Sequence, residues 1–383
     1  MKRLALIFTF IFIFTSVIHA QGIIENPEKP LSKNFGRKAE SVEVMKIQDV
    51  GSDFYFMFPR NLKVAHDESV FIVDKNQLLQ FDRSGKFVRN LFKRGQGPGE
   101  MGHISNYCFF NNNIIIYNSY PPKMIWFDLR GSLTKELKVQ TGGLSLEFLT
   151  LYEGTYYFFN SDYPTAKRGQ SVTVDVPQNL IAITHNGEEM ERLTSFPTKA
   201  FIVASKQGGQ AMCPINSLIT VSFQEKFMFI CHTQEYLVKL YDLEKQQITR
   251  QFRRKYKRIK TPQGKEKKCG GAMVDGKEII LPPQKYLDDI QNLFVFGDRL
   301  WVMTSTTDKE KRVLIDVFNF KGQYVDNFYL KFPDNLARDI FGYKREIISG
   351  SFLYAIEQDE DGTYAISKHK IEDDNKPPGN QLP

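Results

Sequence analysis

The sequence has little that is helical. Beyond residue 22 no stretch carries a long amphipathic period of about 3.6 residues, while Phe (32) and Tyr (17) are abundant, which leaves all-β as the fold class. A second long apolar run is also missing, so no segment after the first twenty residues has the ~20 apolar residues a membrane helix needs. Cysteine is sparse. Cys108 and Cys231 lie inside apolar strand patterns and read as buried thiols, and a Cys213 to Cys231 bridge is the pairing open within one unit, with Cys269 the fourth cysteine. Catalytic spacings are absent too: there is no Gly-x-Ser-x-Gly elbow, and His66, His103, His185, His232 and His369 form no His-x-His or His-Glu-x-x-His pair.

Residues 1–20 stand apart. Lys2 and Arg3 precede the apolar run Leu4 to Val17, and Ile18-His19-Ala20 ends on a small residue, the pattern of a cleaved secretory signal. No Cys follows it, so a lipid anchor is not expected and the mature chain is expected in the periplasm or outside the cell. Residues 21–40 read as a leader without period and 373–383 as a tail. The net charge of +7 is unevenly placed. The signal carries +2, and nine Lys or Arg against Glu266 between Arg253 and Lys268 carry +8, so the rest is about −3 and a general nucleic-acid role loses its support.

A phrase repeats through the chain: apolar residue, Asp or a substitute, two variable residues, a turn. It reads Phe81-Asp82-Arg83-Ser84-Gly85 and Phe127-Asp128-Leu129-Arg130-Gly131, then more weakly at Ile183 to Gly187, at Tyr241 to Glu244 and at Phe318 to Gly322. Each copy separates two apolar runs. Asp, Asn and Thr side chains bond the backbone two residues on, and Gly supplies the positive φ, so each is a hairpin turn. Five units of four strands follow one another, and a sixth, from Ile347 to Ile371, has only three. The strand Ser41 to Asp49 is left over at the other end. Pairing it with the last unit closes a ring, so residues 41–372 are expected to form a six-bladed β-propeller of four-stranded blades, with a basic insertion at 253–289. Val42, Val44 and Ile47 mark that strand, and Val44→Asp, a buried unpaired charge, would then weaken closure.

The blade phrase, the leader and the string Phe92-Lys93-Arg94-Gly95-Gln96-Gly97-Pro98-Gly99-Glu100 resemble the secreted six-bladed β-propellers of Bacteroidetes, a family of unknown function related to NHL-repeat propellers. The resemblance covers roughly residues 35 to 372. It implies export and a binding surface, and it brings no catalytic residues with it.

The Gly95 to Glu100 string is not a phosphate loop, because Pro98 and a strand follow where a helix would have to start. Its glycines suit a crossing between blades, and Arg94, Glu100 and His103 are the candidates for a ligand face at the channel mouth. Arg253, Arg254, Lys255, Lys257, Arg258 and Lys260 are the candidates for an anionic-partner patch, taking an anionic glycan or an acidic protein of the cell envelope, unless they form only a solvated edge. Asp359, Asp361 and Gly362 look like part of a calcium loop but lack the distal carboxylate, so a hairpin turn is expected there. No cofactor is expected from these motifs; calcium there, or another metal in the channel, is the exception the residues leave open. The function that follows is an exported binding module. The alternative is a hydrolase or lyase with carboxylates, His or a metal at the axis, which would need three or more such groups to converge there.

Overall fold

A computed structural model describes residues 22 to 373 except 50, 52, 224, 225, 265 and 338 to 344. The signal at 1–20 and the tail beyond 373 lie outside the described residues. Every element among the described residues is a strand. Two come before the first blade, β1 (Ile24–Asn26) and β2 (Arg37–Gln48). Blade 1 holds β3 (Pro59–Val64), β4 (Val70–Asp74), β5 (Gln77–Phe81) and β6 (Phe87–Asn90), and blade 2 holds β7 (Ile104–Phe110), β8 (Asn113–Ser119), β9 (Pro122–Asp128) and β10 (Leu133–Lys138). Blade 3 holds β11 (Leu146–Tyr152), β12 (Thr155–Ser161), β13 (Ser171–Ile183) and β14 (Met190–Ala204), with β15 (Gln210–Asn216) as a fifth strand. Blade 4 holds β16 (Leu218–Phe223), β17 (Phe227–His232), β18 (Val238–Asp242) and β19 (Gln247–Arg254), and the hairpin β20 (Lys268–Val274) and β21 (Lys277–Ile280) follows. Blade 5 holds β22 (Ile290–Phe296), β23 (Arg299–Thr307), β24 (Val313–Asn319) and β25 (Tyr324–Lys331), and blade 6 opens with β26 (Glu346–Ser349), β27 (Phe352–Gln358) and β28 (Tyr364–Asp373).

The left-over strand closes the ring. β2 pairs antiparallel with β28, from Glu40↔Glu372 to Gln48↔Ala365, and so becomes the fourth strand of blade 6. A bulge between Glu43 and Met45 turns the alternation over. Val42 and Val44 are therefore exposed, and Ala39 and Ile47 are the buried residues. The reading of Val44 as a closure residue is corrected.

Residues 22–40 do more than lead into the first blade. β1 pairs parallel with β19 on the outer edge of blade 4. Asn26 then donates to the Arg253 and Gly322 carbonyls at 3.0 and 2.9 Å and accepts from the Tyr324 N–H at 2.9 Å. The Leu31 and Ser32 N–H groups donate to the carbonyls of Tyr324 and Val325 on blade 5 before β2 begins. The segment braces three blades in sequence, a role its polar, aperiodic composition did not signal.

The repeated phrase forms the same turn in blades 1, 2 and 5. Asp82 Oδ1 accepts from the N–H of Ser84 and Lys86, Asp128 Oδ1 from Ser132, and Asn319 Oδ1 from Lys321 and Gln323, with Gly85, Gly131 and Gly322 at φ +86, +84 and +79°. Asp359 makes the same bond to Thr363, with Gly362 at +86°, so the calcium-like fragment is a hairpin turn.

Alternation along the buried strands stacks the blades. In β4, Phe71 and Val73 join the cluster shared with blade 2, while Val70 and Ile72 join the one shared with blade 6. Among the described residues no helix is long and apolar enough to cross a membrane.

Candidate functional site

The meander places two sets of connections at one end of the ring: the turn from the second to the third strand of each blade, and the crossing from its outer strand to the next inner strand. The second strands align without a gap. Val70-Phe71-Ile72-Val73-Asp74 matches Ile114 to Asn118, Tyr156 to Asn160, Met228 to His232, Leu300 to Thr304 and Leu353 to Glu357, four apolar residues and then a polar one. All six polar residues, Asp74, Asn118, Asn160, His232, Thr304 and Glu357, are buried. A buried polar group must find partners, and in four of the six blades the arriving crossing segment supplies them.

Asp74 accepts from the N–H of Met57 and Phe58 at 2.6 and 2.9 Å, and Asn118 Oδ1 from Gly102 and His103 at 2.8 and 2.9 Å. Asn160 donates to the Ser145 carbonyl at 3.1 Å, and Glu357 accepts from the Asn335 amide at 2.9 Å. In blades 4 and 5 the next residue takes over: Thr233 Oγ1 accepts from the Ser217 N–H, and Ser305 Oγ donates to the Asp288 carbonyl. A ring of six anchors thus fixes the loops of this face. It was missed at sequence level, although the fifth-position polar residue after each four-residue apolar run was there to be aligned.

The first crossing carries Arg94, Glu100 and His103. The Glu100 carboxylate folds back onto its own loop and accepts from the Gly97 N–H at 2.9 Å, and a Cβ on Gly95 would lie 1.9 Å from that carboxylate. Lys123, buried, reaches the Gly97 carbonyl at 3.0 Å and the Glu136 carboxylate at 3.1 Å. Glu100 is thus a loop lock. Arg94 and His103 are exposed. His103 Nδ1 is 2.9 Å from Ser119 Oγ, and burial first and the Arg60 cation second hold its imidazole below the ordinary pKa, favouring the neutral form.

The basic stretch divides. Arg253 pairs with Glu25 at 2.7 Å. Arg254 is buried, donating to Asp316 at 2.7 Å and lying 5.0–5.3 Å from the rings of Tyr236, Tyr256 and Tyr324. Burial opposes its charge, but Asp316 more than offsets this and its pKa is raised. Arg258 donates to Asp289 at 2.8 Å and lies over Tyr286. Three arginines of the expected patch are therefore consumed by the fold. Lys255, Lys257 and Lys260 are exposed, and among the described residues they form no ion pair.

Beyond them the insertion is anchored rather than loose. The outer halves of β13 and β14 extend blade 3 past its body, β15 adds to β14, and β20 is joined to β15 by a Cys213–Cys269 disulfide. Ile279 and Leu281 pack on that disulfide beside Phe201 and Val203. The expected Cys213 to Cys231 pairing is thereby corrected: Cys231 faces the blade 4–5 core, buried and outside any disulfide, and Cys108 is half-buried and likewise not disulfide-bonded.

A further group lies in blade 6. His369 Nε2 is 3.3 Å from the Glu357 carboxylate and 2.7 Å from Ser367 Oγ, and Ser367 also donates to Glu357. Lys46 Nζ is 3.2 Å from Glu357 and 3.9 Å from Glu43. Burial raises the Glu357 pKa, but donation from His369, Ser367, Asn335 and Lys46 outweighs it and brings it down to about 2. Ser367 is fully buried and His369 nearly so, which rules out a nucleophile open to substrate.

The sequence profile of the family DUF5128, described as 6-bladed beta-propeller, matches residues 51–220. The chain is a six-bladed β-propeller. It is similar to a protein described as exported from Bacteroides fragilis, at TM-score 0.52 and 12% identity over 92% of this chain and 100% of that one. It is also similar to a member of the DUF4221 family from Bacteroides vulgatus, at TM-score 0.54 and 9% identity over 88% and 99%. At these identities the likeness shows the propeller fold alone. No curated protein sequence matches the chain.

Proposed function

We propose that this propeller is an exported binding module whose ligand surface is the anchored loop face. The observation that carries the reading is where the fold is elaborated. Both large additions to the ring, the blade 3 extension and the basic insertion, rise from the same face and are cross-linked by Cys213–Cys269. A disulfide-anchored projection whose base carries Lys255, Lys257 and Lys260 suits an anionic glycan or acidic protein surface of the cell envelope. Export is supported by the N-terminal signal pattern and the likeness to a protein described as exported.

The axis offers less support for chemistry. Polar side chains of the inner strands are spent bridging to the next blade: Asn61 to the Ser105 carbonyl at 3.1 Å, Asn106 to Phe148 at 2.8 Å and Asn292 to Glu346 at 2.8 Å.

The test is binding of the purified chain to a panel of anionic and neutral polysaccharides at rising salt. Binding that weakens with salt and drops at least tenfold in a Lys255→Glu, Lys257→Glu, Lys260→Glu variant is the expected result. Equal affinity of variant and unsubstituted chain would overturn the placement on the insertion.

A further inference from the structure

The group in blade 6 draws its members from the three strands that close the ring. Glu43 comes from β2, Glu357 from β27 and His369 from β28, and one ligand atom of each lies within 4.8 Å of the others. Register and side-chain length together bring them to one place. Glu43 stands opposite His369 across the β2–β28 ladder, whereas Glu357 stands opposite Ala365, four residues further along, on the strand face it shares with Ser367 and His369, and its carboxylate reaches back past Ser367 to the imidazole. None of the sequence motifs pointed here, and the group lies away from the inner strands that line the axis.

We propose that this seam is a binding site for one divalent first-row transition-metal ion, held by Glu43, Glu357 and His369, which clasps the N-terminal strand to the C-terminal pair. The donor set is one imidazole and two carboxylates, the chemistry of Zn(II), Mn(II), Fe(II) or Co(II) rather than of the all-oxygen calcium sites. Two ligands at about 2.1 Å from a tetrahedral ion stand about 3.4 Å apart. His369 Nε2 and Glu357 Oε1 are already 3.3 Å apart. The site also has supports of the kind that orient metal ligands, since Asn335 and Ser367 both donate to the Glu357 carboxylate.

A cation already sits between the two carboxylates, the Lys46 ammonium. A metal ion would take over its role. The Lys46 and Glu43 side chains are 32 and 45% exposed, so the lysine can swing to solvent and an ion can enter past Glu43. Binding would move the ring proton off Nε2, which donates to Glu357 in this structure, and onto Nδ1, which has no hydrogen-bond partner among the described residues, so the ion has to replace that donation with its own bond to Nε2. Because β2 belongs to the N-terminal end and β27 and β28 to the C-terminal end, an ion bound here would stabilise ring closure directly.

The experiment is titration of the purified, chelator-treated full chain with Zn(II) and Co(II), followed by calorimetry, Co(II) absorption and thermal melting. One ion per chain, a raised melting temperature and a Co(II) d–d spectrum are expected. Glu43→Gln, at an exposed position with little bearing on folding, is expected to weaken binding at least tenfold. Lys46→Met, which removes the competing ammonium, is expected to tighten it at least tenfold, and His369→Gln to abolish it. Absence of saturable binding to the unsubstituted chain below about 1 mM overturns the proposal. So does binding that Glu43→Gln leaves unchanged, a readout that stands even where His369→Gln fails to fold.

Discussion

Arg254 offers the sharpest distinction between a ligand-facing cation and a structural one. Its guanidinium and the fully buried Asp316 carboxylate are 2.7 Å apart, and the hydroxyls of Tyr236 and Tyr324 donate to the same carboxylate at 2.5 and 2.6 Å. Arg254→Met strips the counter-ion from a buried carboxylate, at about 3–5 kcal/mol. The two tyrosines still donate to that carboxylate, so the lower end, about 3 kcal/mol, is expected. Asp316→Asn leaves a buried guanidinium with the Lys255 carbonyl and three aromatic rings, for a loss of about 3 kcal/mol again. With both charges gone, the pair Arg254→Met, Asp316→Asn should lose no more than either alone. The two changes then fail to add by about 3 kcal/mol. Urea unfolding of the four proteins, followed by the fluorescence of Trp126 and Trp301, measures the cycle. A loss below about 1 kcal/mol for Arg254→Met, or a double variant whose loss is the sum of the singles, would refute the buried-pair reasoning.

Two further outcomes follow from the closing strand. Val44, exposed at the bulge of β2, is expected to accept Asp with a change within about 0.5 kcal/mol, whereas Ile47→Ala, at 3% exposure, is expected to lose about 2–5 kcal/mol. Equal melting temperatures for the two variants would contradict the register of β2. Glu357 carries the acid sensitivity of the seam, facing Lys46, His369, Ser367 and Asn335. Its pKa is depressed to about 2, so its contribution is complete above the ordinary Glu pKa of about 4.3 and is lost as pH falls through about 2. Glu357→Gln should flatten the stability profile over that interval, and parallel profiles for the two proteins would show that the carboxylate is not the group being titrated.

The repeat was legible because a turn is a local event. Asp82, Asp128 and Asn319 bond backbone groups two to four residues away, so the phrase in the chain and the turn in space are the same object. Ring closure was legible by counting, since one unit lacked a strand and one strand lacked a unit. The register of that strand was not, because the bulge between Glu43 and Met45 depends on a partner more than three hundred residues away. The disulfide was misread for a similar reason. Cys213 and Cys231 are close in sequence, but β15 turns outward along β14 and meets the insertion, while β17 stays in the blade.

Charge was the least legible quantity of all. The run from Arg253 reads as a surface patch, yet its first two residues still belong to β19, and there alternation sends one side chain outward to Glu25 and the next inward to Asp316. A cluster of like charges on a strand cannot all face solvent. In the same way the buried polar residue that ends a second strand looks like an interruption of an apolar run, and in blades 1, 2, 3 and 6 its partner is a loop arriving from the preceding blade. Asp74, Asn118 and Asn160 hold a carboxylate or amide at that position, and blade 6 puts the longer Glu357 there. The extra methylene lets its carboxylate reach beyond the loop to Lys46, Ser367 and His369 as well as to Asn335. The blade completed from both ends of the chain is thus the one whose anchor also ties its last three strands to one another.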